Sequence, residues 1–369
     1  PLFFQPTPND APDLHPSSGL ARDPEHLQRH ALRGGGMFMR MPVDTAQARK
    51  IMLKRLWLCT AWALVQVLSV APAQAQQGFS FVALGDLPYG SPDKAYGPYR
   101  TLIDRINTLN SDFSIHVGDF KSGSTLCSDE EFAHQLAHFQ RFKGAVVYTP
   151  GDNEWTDCHR ANNGPYDPLE RLAALRQRFY TPGRSLGQQP LALQNQSDVM
   201  PAHGRYVENQ RWMHQGTLFA TLHMVGSNNN FETRDPVAVQ EFFERDAANV
   251  AWIEATFEQA HQRQASALVL AFQADVFETR SAWEDFPPWS GFRKSMADTL
   301  LPLARRWGKP VLVVHGDSHQ FKIDQPFQLD KKPLTNVTRL IVPGASDVRA
   351  VKVTVQGAAF AFEMVTPAP

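Results

Sequence analysis

The feature that most constrains this chain is a repeated pairing of a short apolar run with an acidic turn. Five runs that resemble buried β-strands are each followed by such a turn: Gly85-Asp86, Gly118-Asp119, Gly151-Asp152-Asn153-Glu154, Gln273-Ala274-Asp275 and Gly316-Asp317-Ser318-His319. A single Gly-Asp pair is typical of an ordinary turn. Repetition changes the interpretation, since ligand sites in open α/β sheets gather beyond the carboxyl ends of the strands. The pattern predicts one crevice lined by carboxylates, amides and a histidine.

The segments between these turns predict alternating strands and helices. Strands are expected near 79–84, 113–117, 145–149, 217–225, 267–272 and 310–315, and helices near 99–109, 130–142, 169–179, 237–246, 250–262 and 292–307. Three later runs, 340–342, 349–355 and 358–365, alternate like antiparallel strands. Alternating strands and helices that end in further strands predict an α/β fold with one mixed sheet or two packed sheets.

The front of the chain is expected to lie outside this fold. Residues 1–51 open with a stretch rich in Pro, Gly, Asp, Arg and His, which predicts disorder or an upstream, non-native extension. Residues 52–75 run from basic residues through an apolar stretch to Ala73-Gln74-Ala75, the order of a secretory signal peptide. A retained N-terminal anchor is the alternative. We therefore predict a periplasmic or secreted domain over residues 76–369, with no transmembrane segment after signal cleavage.

Cysteine usage agrees with export. Cys59 lies within the expected signal peptide, which leaves Cys127 and Cys158 in polar loops. An even number of cysteines in an oxidising compartment predicts one disulfide, with two buried free thiols as the alternative. The formal net charge of -1 provides no broad basic field, so non-specific binding of nucleic acid is disfavoured.

Carboxylates that gather in one crevice repel each other and cannot all stay ionised without compensation. Hard divalent cations resolve this conflict, because carboxylate and amide oxygens with a histidine form a suitable ligand set. The sequence contains no P-loop, no nucleophile elbow, no H-E-x-x-H motif and no Rossmann glycine motif. Metal binding is the interpretation that the repeated acids favour.

In their order and strand context, the five blocks resemble those of the calcineurin-like metallophosphoesterases, over roughly residues 79–364. The resemblance implies two packed mixed β-sheets flanked by helices. It also implies hydrolysis of phosphate mono- or diesters by a metal-activated water, with one or two divalent cations as cofactors. Transferred position by position, it implies six metal ligands: Asp86, Asp119, Asp152, Gln273, Asp317 and His319.

The chain departs from the family pattern at several positions. Pro88 and Asn153 replace histidines of the first and third blocks, and Gln273 and Asp317 replace two imidazole ligands. A ligand set rich in oxygen favours Mn, Mg or Ca, with Fe or Zn possible. Asn153 occupies the catalytic position of the missing histidine, and His159, further along the chain, is predicted to substitute for it as the acid.

Lys121 and Arg160 are predicted to contact phosphate, with ordinary surface cations as the alternative. His116 is expected to pack in the core, whereas Asn228 and its two asparagine neighbours could line the crevice or form a polar turn. The expected substrate is a phosphorylated small molecule or an envelope phosphoester. Two other hypotheses stay open: a catalytically weakened metal- or phosphate-binding module on the same fold, and a surface protein stabilised by bound calcium.

Overall fold

Strands and helices alternate along the part of the chain that the computed structural model describes, residues 78–277 and 286–367. These residues belong to the compact unit Ala75–Pro369. The expected extension, the expected signal peptide and Cys59 lie outside the described residues. The strands are β1 (Phe79–Leu84), β2 (Phe113–His116), β3 (Ala145–Tyr148), β4 (Leu186–Gly187), β5 (Gln194–Asn195), β6 (Gln210–His214), β7 (Thr217–Thr221), β8 (Ala267–Ala271), β9 (Val311–His315), β10 (Lys322–Asp324), β11 (Gln328–Leu329), β12 (Lys332–Pro333), β13 (Val337–Ile341), β14 (Ala350–Gln356) and β15 (Ala359–Val365).

The helices lie mainly between the parallel strands. They are α1 (Pro92–Ile106), α2 (Asp129–Arg141), α3 (Pro168–Phe179), α4 (Pro236–Gln262) and α5 (Leu301–Trp307), the last of which continues a π-helix at Arg293–Leu300. Short helical turns lie at Thr156–His159, Ala161–Asn163, Gln196–Val199, Pro201–His203 and Gly226–Asn229. No helix in the described ranges combines the length and the apolar character that crossing a membrane requires.

The strands form two mixed sheets. The first has the order β15-β14-β1-β2-β3-β4, and the second has the order β10-β13-β9-β8-β7-β6-β5. Within them, β1, β2 and β3 run parallel to one another, as do β7, β8, β9 and β13. The two packed mixed sheets flanked by helices that the sequence predicted are therefore confirmed.

Each central strand is buried on both faces, which explains why these segments are apolar without interruption. In β1, Phe81 and Ala83 face a core cluster that is shared with strands of the second sheet. The alternate residues, Val82 and Leu84, pack into a second cluster with residues of α1, α2 and α3. The alternation places the first sheet between a layer of helices and the second sheet.

The predicted pair of helices at 237–246 and 250–262 is wrong, because α4 runs unbroken through both. Asn249 interrupts the apolar pattern of the sequence there and suggests a break. In the structure its side chain is buried and donates to the carbonyl oxygen of His223 at 2.8 Å. It also accepts from the Asn209 amide at 3.0 Å. A polar residue whose bonds are satisfied can stay inside a helix interface.

A buried charge network lies next to β7. The Glu208 carboxylate is fully buried and pairs with Arg176 at 2.5 Å and with His223 at 2.8 Å. Burial alone would raise the pKa of Glu208, but Arg176 and His223 outweigh it and hold that pKa below its ordinary range. Arg245 donates to the carbonyl oxygen of His223 and to both oxygens of Asn229, which ties this network to the turn at Gly226–Asn229.

Candidate metal centre

Three of the predicted metal ligands meet at the carboxyl ends of strands. Asp86 follows β1, Asp119 follows β2 and His319 follows β9. Each offers a ligand atom, and these atoms all lie within 4.8 Å of one another. Both aspartates are buried, whereas His319 is partly exposed. A cation at this position would therefore be held by both sheets and would still be reachable from solvent.

The backbone at this centre adopts a conformation that side chains usually avoid. The φ angles of Asp86, Asp119, Asp317 and His319 are 53°, 54°, 71° and 57°. Left-handed residues other than glycine cost roughly 1–3 kcal/mol each and cluster at functional sites, where surrounding structure enforces them. Three of these four residues, Asp86, Asp119 and His319, contribute the ligand atoms that converge at the centre.

Glycine is required where Asp86 packs against the second sheet. A Cβ atom at Gly316 would overlap the Asp86 carboxylate, and one at Gly344 would overlap the Asp86 side chain at its Cβ. The amide of Asp317 also donates to both Asp86 oxygens, at 3.1 and 3.2 Å. The carboxylate is thus seated between two backbone segments that only glycine can bring this close.

The electrostatics of the centre fit a divalent cation. Burial raises the pKa of Asp86 well above its ordinary value, and the Asp317 charge raises it further. Burial likewise raises the pKa of Asp119, followed by the charges of Asp152 and Glu154. Buried carboxylates that repel each other are stabilised by a hard cation, and two carboxylates with one imidazole are a suitable donor set.

Tyr89 belongs to the site, although none of the sequence motifs predicts it. Its hydroxyl donates to Asp119 Oδ2 at 2.7 Å and accepts from Asn153 Nδ2 at 2.7 Å. Its ring lies edge-on to the His319 imidazole, with centroids 5.1 Å apart. The available signal was its place three residues after Asp86, in the same strand-end turn.

Asn153 donates two further hydrogen bonds to Asp119. Its backbone amide donates to Asp119 Oδ1 at 3.1 Å, and its side-chain Nδ2 donates to Asp119 Oδ2 at 2.7 Å. The Nδ2 group has two hydrogens, and these two contacts with Asp119 and Tyr89 use both. In the structure Asn153 therefore positions a carboxylate; its predicted catalytic role stays a prediction.

Asp152 and Gln273 form a separate polar group. The Gly226 amide donates to Gln273 Oε1, so the amino group of Gln273 must face the other way, where it donates to Asp152 Oδ1 at 3.0 Å. The other Asp152 oxygen accepts from the Ser227 hydroxyl at 3.0 Å. Ser227, like Tyr89, lies outside the sequence motifs. Metal coordination by Asp152 and Gln273 stays a prediction.

Asp317 and Asp152 converge on one side of Gly226. A Cβ atom there would lie 2.9 Å from Asp317 Oδ1 and 3.0 Å from Asp152 Oδ1, so both carboxylates reach the glycine backbone. Asp119, Asp152, Asn153, Arg160, Asp317 and His319 line one open cavity of about 320 Å³. The other two predicted ligands, Asp86 and Gln273, are fully buried and are not among the residues that line this cavity. We call this space the metal cavity.

The predicted phosphate contacts differ in position. Arg160 lines the metal cavity and pairs with Asp157 at 2.5 Å. Lys121 is fully buried and donates from Nζ to the carbonyl oxygen of Ser122 at 3.1 Å, and burial lowers its pKa. His159 is exposed and lines a neighbouring cavity instead. Only Arg160 of these three faces the metal cavity.

Two further expectations are confirmed near the site. Cys127 and Cys158 form a disulfide with a Cα–Cα distance of 5.8 Å. His116 is buried in the core, contacts the carbonyl oxygen of Leu87 at 3.3 Å, and has a pKa that burial lowers to about 3. The asparagines after Ser227 form a polar turn: Asn229 is buried, and Asn228 accepts from the amide of Gly291 at 2.7 Å.

Several solved structures are similar to this chain. GAP50, the anchor in the inner membrane complex of Plasmodium, has 10% identity and a TM-score of 0.44, with 79% of this chain and 90% of that chain covered. PhoD has 11% identity and a TM-score of 0.44, with 78% and 68% covered. The purple acid phosphatase PPD1 from yellow lupin seeds has 13% identity and a TM-score of 0.46, with 79% and 52% covered. This chain thus spans about half the length of the lupin phosphatase.

No protein-family model matches the sequence, and no curated protein matches it. Identities and TM-scores of the size found for the solved structures carry no weight for function. We therefore infer the chemistry of the site from its own side chains.

Proposed function

We propose that this chain is a metal-dependent phosphoesterase that hydrolyses phosphate mono- or diesters outside the cytoplasm. The observation that supports it most is the convergence of Asp86, Asp119 and His319 within 4.8 Å at three strand ends. A divalent cation bound there would lower the pKa of water and offset negative charge on the phosphoryl group. The oxygen-rich donors favour Mn, Mg or Ca, with Fe or Zn possible.

The surrounding residues would position the metal ligand Asp119, bind the phosphoryl group and donate a proton. Tyr89 and Asn153 both donate to Asp119 Oδ2, which fixes the orientation of that carboxylate before any ligand binds. Arg160 carries a positive charge on the wall of the metal cavity, where a guanidinium can donate to two phosphoryl oxygens at once. Asp157 pairs with Arg160 and so positions this guanidinium at the wall. His159, in the neighbouring cavity, remains our proposed proton donor for the leaving group.

A second candidate function is a metal- or phosphate-binding module with weakened catalysis. The observation that favours it is the orientation of Gln273, whose Oε1 accepts from Gly226 and whose amino group, which is not a metal ligand, faces Asp152. The amide of Gln273 stands where the family pattern has an imidazole. A second cation beside Asp152 would meet the amino group of Gln273 instead of a ligand atom, so one cation would bind more tightly than two.

Location outside the cytoplasm is part of the proposal. The disulfide between Cys127 and Cys158 supports it, since structural disulfides persist mainly in oxidising compartments.

The test combines metal analysis with an assay of aryl phosphomonoesters and phosphodiesters in the presence of Mn or Mg. We expect stoichiometric metal and turnover, both reduced by more than tenfold in Asp119→Asn. The matched control is Asp104→Asn, which removes an exposed carboxylate on α1. Stoichiometric metal without turnover of any ester would exclude the phosphoesterase and favour the weakened module. A protein that binds no divalent metal would remove the basis of both functions.

A further inference from the structure

A second cavity opens directly beside the metal cavity. It has a volume of about 810 Å³, against about 320 Å³ for the metal cavity. Asp157, Arg160 and Ser227 line both spaces, so the two cavities meet at these residues. A phosphoester whose phosphorus lies at the metal cavity would therefore extend its organic group past Arg160 into the larger space. We call the larger space the organic-group cavity.

The charges of this cavity are unevenly compensated. Arg160 pairs with Asp157 at 2.5 Å, and Arg234 pairs with Glu232 at 2.7 Å. These two pairs use both arginines among the described lining residues. His159, the proposed proton donor, lines the same cavity, so at most one further cation stands beside the two carboxylates of Asp167 and Asp235. These carboxylates are also offset in part by the ends of the helices that they cap.

Asp167 and Asp235 are held in place by those helices. Asp167 Oδ1 accepts from the amides of residues 169 and 170 at the start of α3, at 2.8 and 2.9 Å. Asp235 Oδ1 accepts from the amides of residues 237 and 238 at the start of α4, at 2.9 and 3.3 Å. Beside these caps, Leu169 and Val237 add an aliphatic wall and are 37% and 58% exposed. The cavity thus combines fixed hydrogen-bond acceptors with an accessible apolar surface.

We propose that the organic-group cavity binds the non-phosphate part of the substrate, and that this part is a neutral, hydroxyl-bearing group such as a sugar or a nucleoside. This inference rests on the proposed function. The volume suits a group of that size, because small-molecule pockets are roughly 300–1,000 Å³. Carboxylate oxygens accept from hydroxyl groups, and the aliphatic wall suits the C–H face of a ring. An organic group with its own negative charge meets Asp167 and Asp235 and is repelled.

Steady-state kinetics with three monoesters test the proposal: glucose 6-phosphate, 3-phosphoglycerate and phenyl phosphate. The first has a neutral polyhydroxyl group, the second an anionic group of smaller size, and the third a small apolar ring. We expect kcat/KM for glucose 6-phosphate to exceed that for 3-phosphoglycerate by about tenfold or more. Glucose 6-phosphate should also have a lower KM than phenyl phosphate.

The matched variant is Asp167→Asn with Asp235→Asn. Asparagine caps helices about as well as aspartate, so the charge is removed while the caps are kept. We expect the preference for glucose 6-phosphate over 3-phosphoglycerate to fall about fivefold, mainly through a lower KM for the anionic ester. The control is Glu254→Gln, an exposed residue of α4 outside the lining, which should leave the preference unchanged.

Equal or reversed preference in the wild-type protein, with normal turnover of phenyl phosphate, would overturn this inference and leave the proposed function standing. A preference that the double variant does not change would overturn the assignment to this cavity. If no ester is hydrolysed with any metal, the proposed function fails and this inference fails with it. Thermal unfolding of the double variant verifies its fold, and the wild-type preference decides the case if that variant does not fold.

Discussion

Opening the Cys127–Cys158 disulfide is expected to weaken the whole fold. The two cysteines are 31 residues apart in sequence. For a loop of that length, the chain-entropy model gives a stabilisation of about 3.7 kcal/mol at 25 °C. The free energy of unfolding of a domain is usually about 5–15 kcal/mol, so this one bond would account for a quarter or more of the stability.

The same change should affect the site more than the rest of the protein. Both sulfur atoms lie against the backbone carbonyl oxygen of Asn153, at 3.6 and 3.7 Å. Cys158 also belongs to the short turn at Thr156–His159, next to Asp157. Reduction would free the segment that carries Asn153 and its contacts with Asp119. We expect activity to be lost at urea concentrations well below the midpoint of global unfolding.

The assay compares oxidised and reduced protein by urea unfolding. Because both cysteines are fully buried, reduction is done on unfolded protein, which is then refolded with reductant present. Free energies of unfolding, and not midpoints, are compared, since removing a cross-link also changes the urea dependence of unfolding. Cys127→Ala with Cys158→Ala is the companion variant, and its stability should not respond to reductant.

Two results would contradict separate parts of this prediction, the stability estimate and the effect on the site. A difference below about 1 kcal/mol between oxidised and reduced protein refutes the ring-closure estimate. If the free energy of unfolding falls by about 3.7 kcal/mol but activity persists up to the global unfolding transition, the link between the disulfide and the site is refuted.

Three other changes are predicted to have distinct effects. Tyr89→Phe removes a hydroxyl 2.7 Å from Asp119 Oδ2, and we expect kcat to fall about tenfold with little change in KM. Calorimetry should show weaker metal binding. If kcat and metal affinity are both unchanged, Tyr89 only packs. Gly316→Ala forces a methyl group into the Asp86 carboxylate, and we expect a loss of about 1–3 kcal/mol in urea unfolding and of stoichiometric metal; an alanine variant that keeps both would be inconsistent with the close approach. The pKa of Glu208 is held below its ordinary range, so its stabilising contribution is complete above about pH 4.5 and is lost as pH falls further. Between pH 7 and pH 3, the free energy of unfolding of Glu208→Gln should therefore change less than that of the wild type. An equal change in both proteins would exclude Glu208 as the source of the pH dependence.

Much of the fold could be predicted because its central strands are buried on both faces. The apolar runs at 79–84, 113–117, 145–149, 267–272 and 310–315 each contain a strand of the structure within two residues. Periodicity does not distinguish such runs from buried helix segments, but their length of five or six residues and the Gly-containing turns that follow most of them favour strands. The direction of the parallel strands then places their terminal turns at one edge.

The site was harder to predict, for a physical reason. Which acid faces the centre depends on backbone angles that sequence patterns do not encode, such as the left-handed conformations of Asp86 and His319. Tyr89 was missed because its role depends on two hydrogen bonds to residues 30 and 64 positions away. Lys121 was predicted to contact phosphate, with an ordinary surface cation as the alternative, and its side chain is buried. These features arise from tertiary contacts and not from local propensity.

The arrangement of strain and charge at the centre argues for a ligand. Asp86, Asp119 and His319 adopt left-handed backbone angles, at a cost of roughly 1–3 kcal/mol each. Burial and the charges of neighbouring carboxylates raise the pKa of both aspartates. Asparagine at the two aspartate positions would tolerate the same backbone and would not repel its neighbours. A bound cation would compensate charged oxygens at both positions, so bound metal should stabilise the wild-type fold more than it stabilises Asp119→Asn.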